Sequence, residues 1–236
     1  MTRRRFLIAA CAALVLALGM GTATAIWPMT SIAEGRVSVT PAPEVPTQVA
    51  PTPAAPTTFA VVGDSISARA SRAGLDMTGG SWTTYASQSG AQFVDGGWAQ
   101  SGAKLAEMQS SVTAVTADVL VILAGTNDLP GDLPIADRLV LVNEIAQKAG
   151  VERVILAAVP PLDANPALAT EWNAALAHLA AQNAWTFVDP WNTVRTVEDT
   201  YEAPFSIDGM HPTPAAAEIA GTKLRAAIVA IPSLEA

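Results

Sequence analysis

The sequence predicts an α/β fold in which a parallel sheet of about five strands lies between two layers of helices. Over residues 58–236, short apolar segments alternate with longer segments whose apolar residues have helical spacing. The apolar segments end in glycine, proline or aspartate, and the clearest is a continuous apolar run typical of a strand buried on both faces. Right-handed connections between such strands give three layers, helices on sheet on helices.

The predicted strands and helices follow one another in regular order. The strands are expected at residues 59–63, 92–95, 118–124, 154–159 and 185–189. The helices are expected at residues 103–116, 134–149, 166–182 and 214–230. Since each strand is followed by polar or glycine-rich residues, the strand ends are where functional side chains are expected to converge.

The N-terminal segment, residues 1–25, is predicted to be an export signal. Arg3-Arg4-Arg5 precedes an apolar run over residues 6–20, and Ala23-Thr24-Ala25 suits cleavage. Thr2 to Leu7 also resembles a twin-arginine signal, which implies export in a folded state. An uncleaved anchor is the alternative, since residues 6–27 are long enough to cross a bilayer. The membrane would then be contacted only through this segment.

Residues 26–57 are rich in proline, alanine and threonine and are predicted to be an extended linker. The catalytic domain is predicted to span residues 58–236, and we expect a secreted or otherwise extracytoplasmic monomer. Loss of residues 1–25 removes three arginines and takes the net charge from −8 to about −11. Such an acidic chain does not suit nucleic acid as a partner. The only cysteine, Cys11, lies in the signal, so neither a thiolate site nor a metal site is expected.

Ser65 is the candidate nucleophile. It follows the first predicted strand directly, in Gly63-Asp64-Ser65, and precedes a predicted helical turn. A hydroxyl at that position lies beside helix N-terminal amides, which favour negative charge. A serine that only caps the turn is the structural alternative.

His211 is the candidate base, and Asp208 is the candidate carboxylate that orients it. They stand three residues apart before the last predicted helix, and Gly209 between them permits a tight turn. The carboxylate would hold the imidazole tautomer while the imidazole takes the serine proton. His178, inside a predicted helix, is interpreted as structural.

Donors for an oxyanion are predicted from two further segments. Asn127 follows the most apolar strand, in Gly125-Thr126-Asn127-Asp128, and its amide could donate to developing negative charge. The backbone N–H groups of Ser65 and Gly102 are the other candidates, and Gly97 competes with Gly102 for the glycine position.

Together, these motifs in this order resemble the SGNH or GDSL hydrolase superfamily. Ile66 stands where that family often has leucine, and residues 98–100 lack the asparagine that many members have before the glycine. The resemblance implies a flavodoxin-like parallel sheet and no metal or cofactor. It also implies Ser65, His211 and Asp208 as the catalytic residues, and Ser65, Gly102 and Asn127 as the oxyanion hole.

The predicted function is a secreted serine esterase that acts on an O-acyl carbohydrate or a short-chain lipid ester through an acyl-serine intermediate. One alternative is an extracytoplasmic O-acyltransferase that passes the same acyl group to a sugar hydroxyl. Another is a binding module that has the fold but no turnover. Trp82, Trp98 and Trp191 are expected either near the site or in the core.

Overall fold

The structure is a computed structural model that describes residues 55–68, 80–206 and 208–231. The predicted export signal, residues 1–25, and residues 26–54 of the predicted linker lie outside the described residues. The domain limits of 58–236 therefore stay a prediction, although the first strand begins at Thr57.

The described elements alternate between strands and helices. Their bounds are β1 (Thr57–Gly63), α1 (Trp82–Ala86), β2 (Ala91–Ala99), α2 (Leu105–Ser111), β3 (Val119–Leu123), α3 (Ile135–Ala149), β4 (Val154–Ala157), α4 (Pro166–Gln182), β5 (Thr186–Val188) and α5 (Pro214–Ala230). A short 3₁₀ turn at Thr126–Asp128 follows β3.

The sheet has five strands in the order β2-β1-β3-β4-β5, and every neighbouring pair is parallel. This order confirms the predicted parallel, flavodoxin-like sheet. The chain passes from β1 to β2 on one side of β1 and then from β2 to β3 on its other side, so the direction of strand addition reverses beside β1. Such a reversal opens a crevice at the carboxyl ends of the strands, which is where open α/β sheets bind ligands.

The sheet separates two hydrophobic cores. Side chains of alternate strand residues point to opposite faces, so Ala60 and Val62 of β1 pack on the side of α2, α3 and α4. Phe59 and Val61 pack on the side of α1 and α5. The three-layer arrangement predicted from the sequence is thereby confirmed.

Two elements differ in length from their predictions by more than two residues. The helix predicted at 103–116 is only α2, because its C-cap residue, Val112, is extended and the following β-branched residues disfavour a helix. The strand predicted at 92–95 continues to Ala99, after a shift in its register with β1. Gly97 allows this continuation, since a Cβ there would lie 2.1 Å from the carbonyl oxygen of Val61.

Helix α1 was not predicted from the sequence. It packs against α5 so closely that a Cβ on Gly221 would lie 2.3 Å from the carbonyl oxygen of Trp82. Within the described part of the chain, no helix has both the length and the apolar character needed to span a membrane.

Candidate active site

The candidate site lies at the carboxyl ends of β1, β2 and β3. Parallel pairing brings Gly63, Ala99 and Leu123 side by side, because β1 pairs with both of the other strands. The loops that follow these residues carry Ser65, Gly102 and Asn127. Sheet pairing alone therefore brings together three segments that are far apart in the sequence.

Ser65, His211 and Asp208 form a continuous hydrogen-bonded chain. The hydroxyl oxygen of Ser65 lies 3.0 Å from Nε2 of His211. Nδ1 of the same imidazole lies 2.7 Å from Oδ2 of Asp208. This is the arrangement in which an imidazole can accept a proton from the serine while a carboxylate holds it in place.

Asp208 also organises its own loop. Its Oδ1 accepts hydrogen bonds from the backbone N–H groups of Met210, at 3.0 Å, and His211, at 2.7 Å. Partial burial acts to raise the pKa of Asp208, but the hydrogen bonds from His211 and Met210 outweigh it and hold this pKa well below its ordinary value. The carboxylate is therefore ionised over the whole range in which an imidazole titrates.

The loop that carries His211 is held by Asp163, at the end of the segment after β4. The backbone N–H of Asp163 donates to the carbonyl of Gly209 at 2.8 Å, and its carboxylate accepts from the N–H of Tyr201 at 2.7 Å. Gly209 has φ +73, and a Cβ on it would lie 2.8 Å from Cβ of Asp163. These contacts join residues far apart in the chain, so no local pattern in the sequence indicates them.

The turn that presents Ser65 depends on Asp64. This side chain is fully buried, and its Oδ1 accepts a hydrogen bond from the N–H of Ile66 at 3.0 Å. Burial raises the pKa of Asp64 to about 6, against the opposing effects of the Ile66 N–H, the Thr126 hydroxyl and His211. A second hydrogen bond holds the turn from the core, since the indole N–H of Trp82 donates to the hydroxyl of Ser67 at 2.9 Å.

Asn127 is held in a turn that only glycine permits. Gly125 has φ +109, and a Cβ there would lie 2.5 Å from the indole nitrogen of Trp172. That indole donates to the carbonyl of Ala124 at 3.0 Å. The amide nitrogen of Asn127 donates one hydrogen bond, at 3.0 Å, to the carbonyl of Ala103. A primary amide has a second N–H, which can donate elsewhere.

The two candidate glycines have different surroundings. Gly97 lies within β2 and packs against the backbone of β1. Gly102 lies in the exposed turn after β2, with φ +77 and no atom within 4 Å of the position of a Cβ. Gly97 therefore has a structural reason to be glycine, whereas space beside Gly102 is open.

The predicted tryptophans lie in the core or against it, and the second histidine lies on the surface. Trp82 and Trp191 are fully buried in the core, and Trp98 is a half-buried residue of β2. His178 is exposed on α4, where its ring contacts the amide of Gln182 at 3.0 Å. Within residues 55–68, 80–206 and 208–231, no three potential metal ligands come together.

Comparison with known proteins agrees with this geometry. Residues 61–219 match the model of the GDSL-like lipase/acylhydrolase family, so the chain belongs to this family. It is accordingly an ester hydrolase of the GDSL type. No curated protein sequence matches this chain significantly.

Solved structures share the fold at low sequence identity. A GDSL-like lipase from Bacteroides thetaiotaomicron is 18% identical, over 73% of this chain and 87% of that chain, with a TM-score of 0.56. A catalytic mutant of an acetylxylan esterase from Geobacillus stearothermophilus is 16% identical, over 76% of this chain and 97% of that chain, with a TM-score of 0.60. A member of the lipolytic G-D-S-L family from Veillonella parvula is 14% identical, over 70% of this chain and 94% of that chain, with a TM-score of 0.53.

Proposed function

We propose that the protein is an exported serine esterase that cleaves carboxylic esters through an acyl-serine intermediate. The observation that carries the proposal is the hydrogen-bonded chain from the Ser65 hydroxyl through His211 to Asp208. A serine hydroxyl is a weak nucleophile until a neighbouring base removes its proton. His211 lies at the distance required for that transfer.

In the proposed reaction, Nε2 of His211 takes the proton of Ser65 as its oxygen attacks the ester carbonyl. Asp208 stabilises the imidazolium that results. The imidazolium then protonates the departing alcohol, which leaves the acyl group on Ser65. Water deprotonated by His211 attacks this acyl group in the second half of the reaction and releases the acid.

The negative charge on the tetrahedral intermediate requires donors that are already in position. We assign this role to the second amide N–H of Asn127 and to the backbone N–H groups of Ser65 and Gly102. Gly102 is preferred to Gly97 because its surroundings are open to a ligand, whereas Gly97 packs against Val61.

For the substrate, we propose an O-acyl carbohydrate or a short-chain lipid ester. The acetylxylan esterase with the same fold supports the first and the GDSL-like lipase supports the second, both at the level of fold. Export is proposed from the arginines and apolar run of residues 1–25. Ester substrates of cell-surface polymers or lipids would then be accessible to the catalytic domain.

The proposal is tested by hydrolysis of p-nitrophenyl acetate, butyrate and octanoate by residues 26–236. We expect turnover by the wild type and at least a thousandfold loss of kcat in Ser65→Ala and His211→Ala. Matched controls are Ser110→Ala, an exposed serine on α2, and His178→Ala, an exposed histidine on α4. Equal activity of Ser65→Ala and the wild type would refute the assignment.

The same experiment separates the proposed esterase from the other candidate functions. If added alcohols divert most of the acyl group from water, the enzyme is a transferase. If the wild type does not hydrolyse esters and an alkyl phosphonate does not modify Ser65, the chain is a binding module.

A further inference from the structure

Catalysis by an oxyanion hole depends on how accurately its donors are held, and donors displaced by about 1 Å lose much of their effect. In this chain the proposed donors Gly102 and Asn127 lie on different loops, one after β2 and one after β3. Something must therefore hold these two loops at a constant separation.

Two hydrogen bonds between the loops meet this requirement. The amide of Asn127 donates to the carbonyl of Ala103 at 3.0 Å. The carboxylate of Asp128, the next residue, accepts from the backbone N–H of Leu105 at 3.1 Å. Asn127 and Asp128 are consecutive residues of the loop after β3. They bind the two ends of residues 103–105, the segment that begins directly after Gly102.

The bond from Asp128 is protected from water. Asp128 is 6% exposed and Leu105 is fully buried in the core. Burial raises the pKa of Asp128, and the negative charges of Glu107 and Asp64 add to the rise. The N–H of Leu105 and the positive charges of Arg138 and Lys104 act in the opposite direction and favour the ionised carboxylate. A buried carboxylate that accepts a backbone N–H makes a stronger bond than a neutral acceptor does.

We propose that Asp128 is a positioning residue of the oxyanion hole, which sets the separation of Gly102 and Asn127 by binding the N–H of Leu105. It does not touch the substrate. The inference rests on the proposed esterase function. Asp128 has a second local role as well, because its carboxylate satisfies one of the free N–H groups at the start of α2.

The chain contains a matched control for that second role. Glu107 also caps the start of α2, since its carboxylate accepts from the N–H of Lys104 at 2.9 Å. Its side chain lies on the helix itself, and its carboxylate binds the start of that helix rather than the loop after β3. Loss of Glu107 therefore weakens the same helix end without releasing the tie between the two loops.

The test compares Asp128→Ala, Asp128→Asn and Glu107→Ala with the wild type, with p-nitrophenyl acetate as substrate and a p-nitrophenyl alkyl phosphonate as inactivator. The phosphonate measures attack by Ser65 with oxyanion formation and without deacylation. For Asp128→Ala we expect a fall of about 10- to 100-fold in kcat and a parallel fall in the rate of phosphonylation, with KM changed less than about threefold.

Asp128→Asn keeps a side-chain oxygen for the Leu105 N–H, so it should recover most of the lost rate. Glu107→Ala should keep kcat within about twofold of the wild type, even where its melting temperature falls as much as that of Asp128→Ala. If Asp128→Ala does not fold, Asp128→Ser serves instead, because its polar hydroxyl is too short to reach Leu105 and the same losses are expected.

Unchanged kcat in folded Asp128→Ala or Asp128→Ser, or an equal loss in Glu107→Ala, would overturn the inference while the esterase function stands. A wild type that neither hydrolyses the ester nor reacts with the phosphonate would overturn the proposed function and this inference with it.

Discussion

Replacement of Asp64 by asparagine should stabilise the protein at neutral pH. The carboxylate is fully buried, and burial is the main reason why its pKa is raised from 3.8 to about 6. Oδ2 of Asp64 and the hydroxyl of Thr126 are both buried without a hydrogen bond of good geometry, although the hydroxyl is near enough to lower the pKa of the carboxyl. Asparagine keeps an oxygen for the Ile66 N–H and offers an N–H to the Thr126 oxygen.

The size and pH dependence of the effect follow from the raised pKa. Each pKa unit corresponds to about 1.4 kcal/mol, so a rise from 3.8 to about 6 costs the folded state up to about 3 kcal/mol once the carboxyl is ionised. The folded state binds the proton more tightly than the unfolded chain, so this cost appears as the pH rises from about 4 to about 6 and is constant above that. Below pH 4 both states are protonated and the cost is absent.

We therefore expect the free energy of unfolding of Asp64→Asn to exceed that of the wild type at pH 8, by up to about 3 kcal/mol. The difference should disappear at pH 4. The measurement is guanidinium chloride unfolding at pH 4, 6 and 8. A variant no more stable than the wild type at pH 8, or an advantage that does not shrink toward pH 4, would refute the reasoning.

Asp118 provides a control of opposite sign. Hydrogen bonds from the side chain and backbone of Thr58 lower its pKa, with Arg153 adding to the effect. The folded state therefore favours the ionised carboxyl, and this stabilisation is present above the ordinary pKa and is lost as the pH falls through the folded pKa. Asp118→Asn should accordingly be less stable than the wild type at pH 8, with a difference that fades in acid.

Three further predictions test the site and the fold. Asn127→Ala should lower kcat by about 10²- to 10³-fold with little change in KM, as measured by steady-state kinetics, because it removes one of the proposed oxyanion donors; an unchanged kcat would exclude that role. Gly209→Ala should impair kcat more than the melting temperature, because its Cβ would press on Asp163 and displace the His211 loop; a kcat equal to that of the wild type would contradict this account. Gly97→Ala should lower the melting temperature strongly, because its Cβ would collide with the backbone of β1. Gly102→Ala should cost only about 1 kcal/mol of stability, because its Cβ lies in open space and the cost comes from the positive φ alone. Equal losses of stability in the two variants, measured by calorimetry, would count against this account.

The sequence alone was sufficient for the fold class, and it singled out the residues to which we assign the catalytic chemistry. Continuous apolar strands alternating with helices predict a parallel three-layer fold, because both signals are local. Ser65, Asn127 and His211 could be singled out for the same reason, since each follows a strand or precedes a helix within a short polar motif.

Other features were decided only by contacts between distant parts of the chain. The extension of β2 past Gly97 depends on its pairing with β1. The bonds from Asp128 to Leu105 and from Asp163 to the loop of Tyr201 and Gly209 join residues with no local signal in the sequence. A motif specifies which groups are present, but the backbone donors and carbonyls that hold them become partners only when the sheet has brought the loops together.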